Sequence, residues 1–157
     1  MVINMTSEEK KRRKRKNLLI ALGVILAIVI IIAASIAWMW PKSKDISEST
    51  VFQAQEVEQQ TQYIISLLDA EDYKTFNTCT TGDLSTTLTP AAITQAKAKV
   101  SDNFGSFVSF GEITMDEMNQ HSNVYAFAQQ EVKYENVTVI YSLTFDENMK
   151  LVGLYIR

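Results

Sequence analysis

The sequence predicts an α+β protein: an N-terminal transmembrane helix, then a domain of about three helices packed on a four-stranded antiparallel sheet. Three observations predict it. Residues 18–40 contain no charged side chain. From Phe52 to Leu68, and again from Ile93 to Val100, the apolar residues recur at spacings near three and four, the helical period. From Phe107 to Ile156 the chain becomes rich in Val, Ile, Tyr and Phe and takes up a period of two.

The apolar segment from Leu18 to Trp40 would make a helix of about 34 Å, against a hydrocarbon core of about 30 Å. A helix pairs every backbone polar group internally, as lipid demands. Trp38 and Trp40 stand at one end, where indole rings favour the headgroup level, and Pro41 closes the segment. At the other end Lys10, Lys11, Arg12, Arg13, Lys14, Arg15 and Lys16 form an unbroken basic block. Positive flanks stay cytoplasmic. The expected layout is therefore a cytoplasmic basic tail over 1–17, a transmembrane helix over 18–40, a polar tether over 41–50 and an extracytoplasmic domain over 51–157. The apolar run exceeds the ~7–15 residues of a cleavable leader, so a retained anchor in the cell membrane is the expectation.

Charge divides along the same line. The chain has 157 residues and a net charge of −3. Residues 1–17 carry seven cations and two acids; residues 41–157 carry eight cations and sixteen acids. A domain at −8 repels nucleic acid at long range, which argues against a nucleic-acid partner. A single cysteine excludes a disulfide-stapled scaffold.

Within the outer domain, Thr50 and Gln53 offer a start for a first helix. Phe52, Val57, Thr61, Ile64, Ile65 and Leu68 form its apolar stripe. Asp72 to Asn77 suits a short second helix, with Tyr73 and Phe76 inward. Thr78 to Thr89 is rich in Thr, Ser and Gly and reads as a loop with room for one helical turn. Thr89-Pro90 gives an N-cap followed by proline in the first turn, a strong helix start. Ile93, Ala96, Lys97 and Val100 follow along one side, and Gly105 ends the element. Four strands follow over 107–115, 123–134, 137–145 and 151–156. The breaks between them are short enough for hairpins, so the sheet should be antiparallel.

That order of elements resembles the small cone-shaped domains of the nuclear-transport-factor-2-like superfamily. Residues 51–157 resemble the bacterial family called domain of unknown function 3887. Asp72-Tyr73-x-x-Phe76, Leu88-Thr89-Pro90, Gly105 and the closing segment from Leu143 to Ile156 carry the resemblance. The resemblance implies a membrane-tethered or exported domain, often Gram-positive, and no particular activity. The anchored layout also resembles the bitopic scaffold component of type IV secretion and conjugation machines.

Chemistry-bearing residues are sparse. Cys79 and His121 are the sole Cys and His, and nothing in the sequence brings them together as a nucleophilic pair. One of each cannot supply a zinc tetrad. Asp69, Glu71 and Asp72, and Asp116 with Glu117, lack the alternating ligand spacing of a calcium loop. No phosphate-binding glycine loop or nucleophile elbow is present. No metal, cofactor or catalytic residue is expected. The expected function is non-enzymatic: protein contact or assembly in the cell envelope, with self-association or a protein partner. The contact surface would be the outward sheet face, with Tyr125, Phe127, Tyr134 and Tyr141 as its side chains. The alternative is a small-ligand-binding or sensing domain, with a cavity between helices and sheet lined by aromatic residues.

Overall fold

The computed structural model describes residues 42–120 and 122–157. The expected transmembrane helix with Leu18, Trp38 and Trp40, the basic block over 10–16 and His121 lie outside the described residues. Among the described residues, no helix is long and apolar enough to cross a membrane.

The described chain begins with a short strand, β1 (Lys42–Asp45), and a 3-10 turn (Ile46–Glu48). Four helices follow: α1 (Ala54–Asp69), α2 (Tyr73–Cys79), α3 (Gly82–Thr87) and α4 (Pro90–Ala98). Four strands complete it: β2 (Phe107–Gln120), β3 (Asn123–Tyr134), β4 (Thr138–Phe145) and β5 (Leu151–Ile156). The five strands pair in sequence order, every pair antiparallel. The α+β class is as predicted, with one more strand and one more helix.

The extra strand corrects the expected tether. Residues 42–45 pair with β2 from Lys42 against Asn119 to Asp45 against Asp116, and Ile46 is buried. The segment is polar because it is an edge strand. Its one inward charge, Lys44, has a partner there: the Nζ lies 3.2 Å from the buried Glu117 carboxylate, which also accepts from Ser49 and Asn119. Ser49 in turn accepts the Phe52 N–H at 2.8 Å, so the entry to α1 is held by Ser49. The expected Thr50–Gln53 cap is absent; Gln53 flanks the helix without a side-chain bond.

The extra helix, α3, occupies the stretch read as a loop. Its Thr and Ser hydroxyls bond back to carbonyls one turn earlier, with Ser85 to Gly82 and Thr86 to Asp83, which hides the helix from propensity arguments. Thr89 caps α4 as its sequence predicts, accepting the Ala92 N–H at 3.3 Å.

One sheet face makes the core. Ala126, Ala128, Val132, Val139, Leu143 and Phe145 meet Val57, Ile64, Ile65 and Leu68 of α1, with Phe76 and Ile93 beside them. β2 slips register at two points, after Phe107 and after Phe110, so it bends over this core. The second slip frees the carbonyls of Gly111 and Glu112, and the buried Gln130 amide donates to both, at 3.1 and 3.3 Å. A polar side chain in the core is thus tied to the irregularity that needs it.

Candidate functional site

The interior holds a second polar group, at the end of the sheet where β3 turns into β4. The Tyr134 hydroxyl lies 2.9 Å from that of Tyr141 and 2.8 and 2.9 Å from the two carboxylate oxygens of Asp69. Asp69 is the last residue of α1. Its Oδ1 also receives the Lys97 ammonium at 3.1 Å, and Lys97 bonds the Leu68 carbonyl as well. The proton order follows from the carboxylate, which only accepts. Tyr141 donates to Tyr134, Tyr134 donates to Asp69, and Lys97 donates from the other side. Burial raises the Tyr134 hydroxyl far above its ordinary range, reinforced by Tyr141 and the Asp69 charge. Burial raises Tyr141 too. Both phenols stay protonated at any physiological pH.

Local structure places each member. Tyr134 shares parity with Val132 along β3, and Tyr141 shares it with Val139 and Leu143 along β4, so both point inward. Lys97 lies on the apolar side of α4, next to Ala96, and reaches back to α1. Glu71 adopts φ 54 as the chain leaves α1, and Asp72 accepts the Thr75 N–H to start α2. Gly105, at φ 75, turns the chain after α4 so that Phe104 packs 5.1 Å from the Tyr134 ring.

These elements surround an open pocket of about 510 Å³. Asp69, Lys97 and Tyr134 line its inner part; Tyr73, Phe104 and Phe107 supply further aromatic walls. Glu71 and Asp102 stand at its exposed margin. Three carboxylates and one ammonium line the pocket, and Asp69 already holds that ammonium. Lys97 lies 5.7 Å from the Phe104 ring centroid, a cation over an aromatic face.

The four residues expected on the outward face divide. Tyr125 and Phe127 do lie there, half-buried, on the parity opposite Ala126 and Ala128. Tyr134 and Tyr141 do not: both are buried in the interior, against the expectation, because their strand parity is that of the core. The outward face also carries Tyr155, 64% exposed. Asp69 and Lys97 lie outside the site residues that the sequence predicts. Their signal in the sequence is a lysine on an apolar helix stripe, since such a cation needs a partner. Cys79 closes α2, half-buried. Among the described residues no three His, Cys, Asp or Glu side chains converge on a metal site.

The fold and pocket define a small α+β domain whose helices cover one face of an antiparallel meander and leave a polar cleft at its end. The family model described as protein of unknown function (DUF3887) matches residues 61–154, more than half of the chain, and the chain belongs to that family. An NMR structure of a protein from Ruminococcus gnavus ATCC 29149 is similar, at 29% identity and a TM-score of 0.60. The match covers 68% of this chain and 92% of that one. No curated protein matches the chain.

Proposed function

We propose that this chain is a single-pass, membrane-anchored binding module of nuclear-transport-factor-2-like type, with its folded domain outside the cytoplasm and no enzymatic role. The pocket beside Tyr134 takes a small cationic ligand. The observation that carries the reading is the composition of that pocket: Asp69, Glu71 and Asp102 against Lys97, with the rings of Tyr73, Phe104, Phe107 and Tyr134 around them. Aromatic faces and carboxylates together favour an amine or quaternary ammonium group. Helices followed by a bent antiparallel meander support the superfamily assignment. The charge-free run over 18–40 behind the basic block over 10–16 supports the anchor and its orientation.

Native mass spectrometry of the full-length protein released from detergent micelles tests the pocket. A retained small molecule, or saturable uptake of spermidine or choline, is expected, weakened at least tenfold by Glu71→Gln with Asp102→Asn. A bare protein mass with no uptake of either amine would overturn the reading.

A second reading, protein contact through the outward sheet face, is favoured by Tyr125, Phe127 and the exposed Tyr155. Tyr125→Asp in the full-length protein should then disperse any self-associated species; an unchanged sedimentation profile counts against it.

A further inference from the structure

The free edge of β5 carries a second feature, remote in character from the polar pocket. β5 is the last strand of the sheet. Arg157 and Ile140 exchange both backbone hydrogen bonds, the Ile140 N–H to Arg157 at 2.7 Å and the Arg157 N–H to Ile140 at 3.0 Å. Antiparallel pairs alternate between bonded and unbonded, so the backbone groups of Tyr155 and Gly153 also turn toward β4. Those of Leu154 and Ile156 therefore turn away from the sheet. Among the described residues no backbone partner meets them. At the other end of the strand this same edge is already used: Thr80 bridges Leu151 in parallel, and the Thr81 N–H donates to the Leu151 carbonyl at 3.0 Å.

Beside that edge runs a groove of about 550 Å³ between α4 and β5. Its walls are apolar, from Leu88, Ile93, Ala96, Val100, Leu154 and Ile156. Lys99 and Arg157 are its charged side chains, and among the described residues no Asp or Glu side chain lines it. In a domain with twice as many acids as cations, a groove whose charged side chains are both cations favours negative charge.

We propose that this edge binds an extended peptide as a sixth strand, with alternate apolar side chains in the groove and an acidic group at Lys99 and Arg157. The unpaired N–H and C=O groups of Leu154 and Ile156 call for a backbone of matching spacing, about 6.7 Å per two residues, which an acyl chain does not offer. A second copy of this chain offers a backbone, yet its own β5 edge would bring the same two cations and no acid. The open stretch of β5 accommodates about four or five residues with two apolar side chains inward.

The test uses full-length protein in detergent micelles and a fluorescent pentapeptide with Val at the first and third positions, Glu at the fifth and Thr between, so that its apolar and acidic side chains share the groove face. Fluorescence anisotropy should show saturable binding. Replacing the Glu by Lys, or making Lys99→Glu in the protein, should weaken it at least tenfold. N-methylating the peptide bonds that face β5 should abolish it. No saturable binding, equal binding of the Lys-ended peptide, or equal binding of the N-methylated peptide would each overturn the proposal. So would a dimer whose dissociation alone admits the peptide. Lys99 is exposed, so circular dichroism separates loss of binding from loss of fold. Glu71→Gln should leave peptide binding unchanged, which keeps this outcome distinct from that of the amine pocket.

Discussion

The hydroxyls of Tyr134 and Tyr141 lie 2.9 Å apart in the interior, on neighbouring strands, and only Tyr134 reaches Asp69. Tyr134 is therefore the middle of a three-membered relay and Tyr141 its end. Tyr134→Phe leaves Tyr141 without an acceptor and Asp69 without a neutral donor, and should cost about 2–3 kcal/mol. Tyr141→Phe removes one donor and should cost about 1 kcal/mol. The double variant should cost less than the sum, as coupled partners do. Urea unfolding of the four proteins measures all three differences; strict additivity would deny the relay.

The same pair sets an alkaline limit. Both phenols are raised above their ordinary value near 10, so the fold holds protons that the unfolded chain releases. Their contribution is complete below pH 10 and falls as pH rises above it, with a slope approaching about 1.4 kcal/mol per pH unit for each phenol. Tyr134→Phe should flatten that slope by about half. Absorbance at 295 nm during an alkaline titration reads it: two of the six tyrosines should ionise only as the protein unfolds.

At the opposite end of the sheet, Lys44→Met tests whether β1 belongs to the domain. Burial pushes the Glu117 carboxyl up, but hydrogen bonds from Ser49, Asn119 and Lys44, with the Lys44 charge, hold it below its ordinary range. Its contribution is present above the unfolded value near 4.5 and lost as pH falls through the lower folded value. Lys44 is about a third exposed, so the loss at pH 7 should be about 1–2 kcal/mol, between exposed and buried pairs. Chemical denaturation at pH 7 and pH 3 should show the difference shrinking in acid. A loss that is the same at both pH values would contradict the pairing.

Two glycines should respond oppositely to alanine. Gly105 has φ 75, and a Cβ there would stand 2.7 Å from the Glu135 Cβ. Gly105→Ala should cost about 1–3 kcal/mol and disturb the pocket wall at Phe104. At Gly82 in α3 a Cβ meets nothing within 4 Å. Gly82→Ala should stabilise by about 0.5 kcal/mol, and melting temperatures would report both signs.

Thr61 is fully buried in α1, and its hydroxyl has no hydrogen-bond partner among the described residues. Thr61→Val keeps the shape and removes the unpaired group, so it should gain about 1 kcal/mol in urea unfolding. A loss of stability would mean that the hydroxyl is satisfied in solution.

How far the sequence discloses this arrangement differs by residue. The alternation from Val137 to Phe145 and the Thr89-Pro90 start are local signals, and both strand and helix stand where they point. β1 gives no such signal: Lys42 to Asp45 is polar throughout, and its place depends on Glu117, more than seventy residues away. α3 is concealed because its Thr and Ser residues favour turns in isolation. The inward direction of Tyr141 is legible in its parity with Val139 and Leu143; choosing it for its aromatic ring overrides that parity. The meeting of Tyr134 with Asp69 spans 65 residues and has no local trace.

Whether the pocket beside Tyr134 takes an amine is read most directly by an amide NMR titration of the full-length protein in detergent micelles with spermidine. Saturable shifts should concentrate at residues 69–73 and 97–107, with Gly105 and Ser106 among them, and none should appear along β5. Saturating amine with those amides unmoved, or shifts spread evenly over the acidic surface, would contradict amine binding at that pocket.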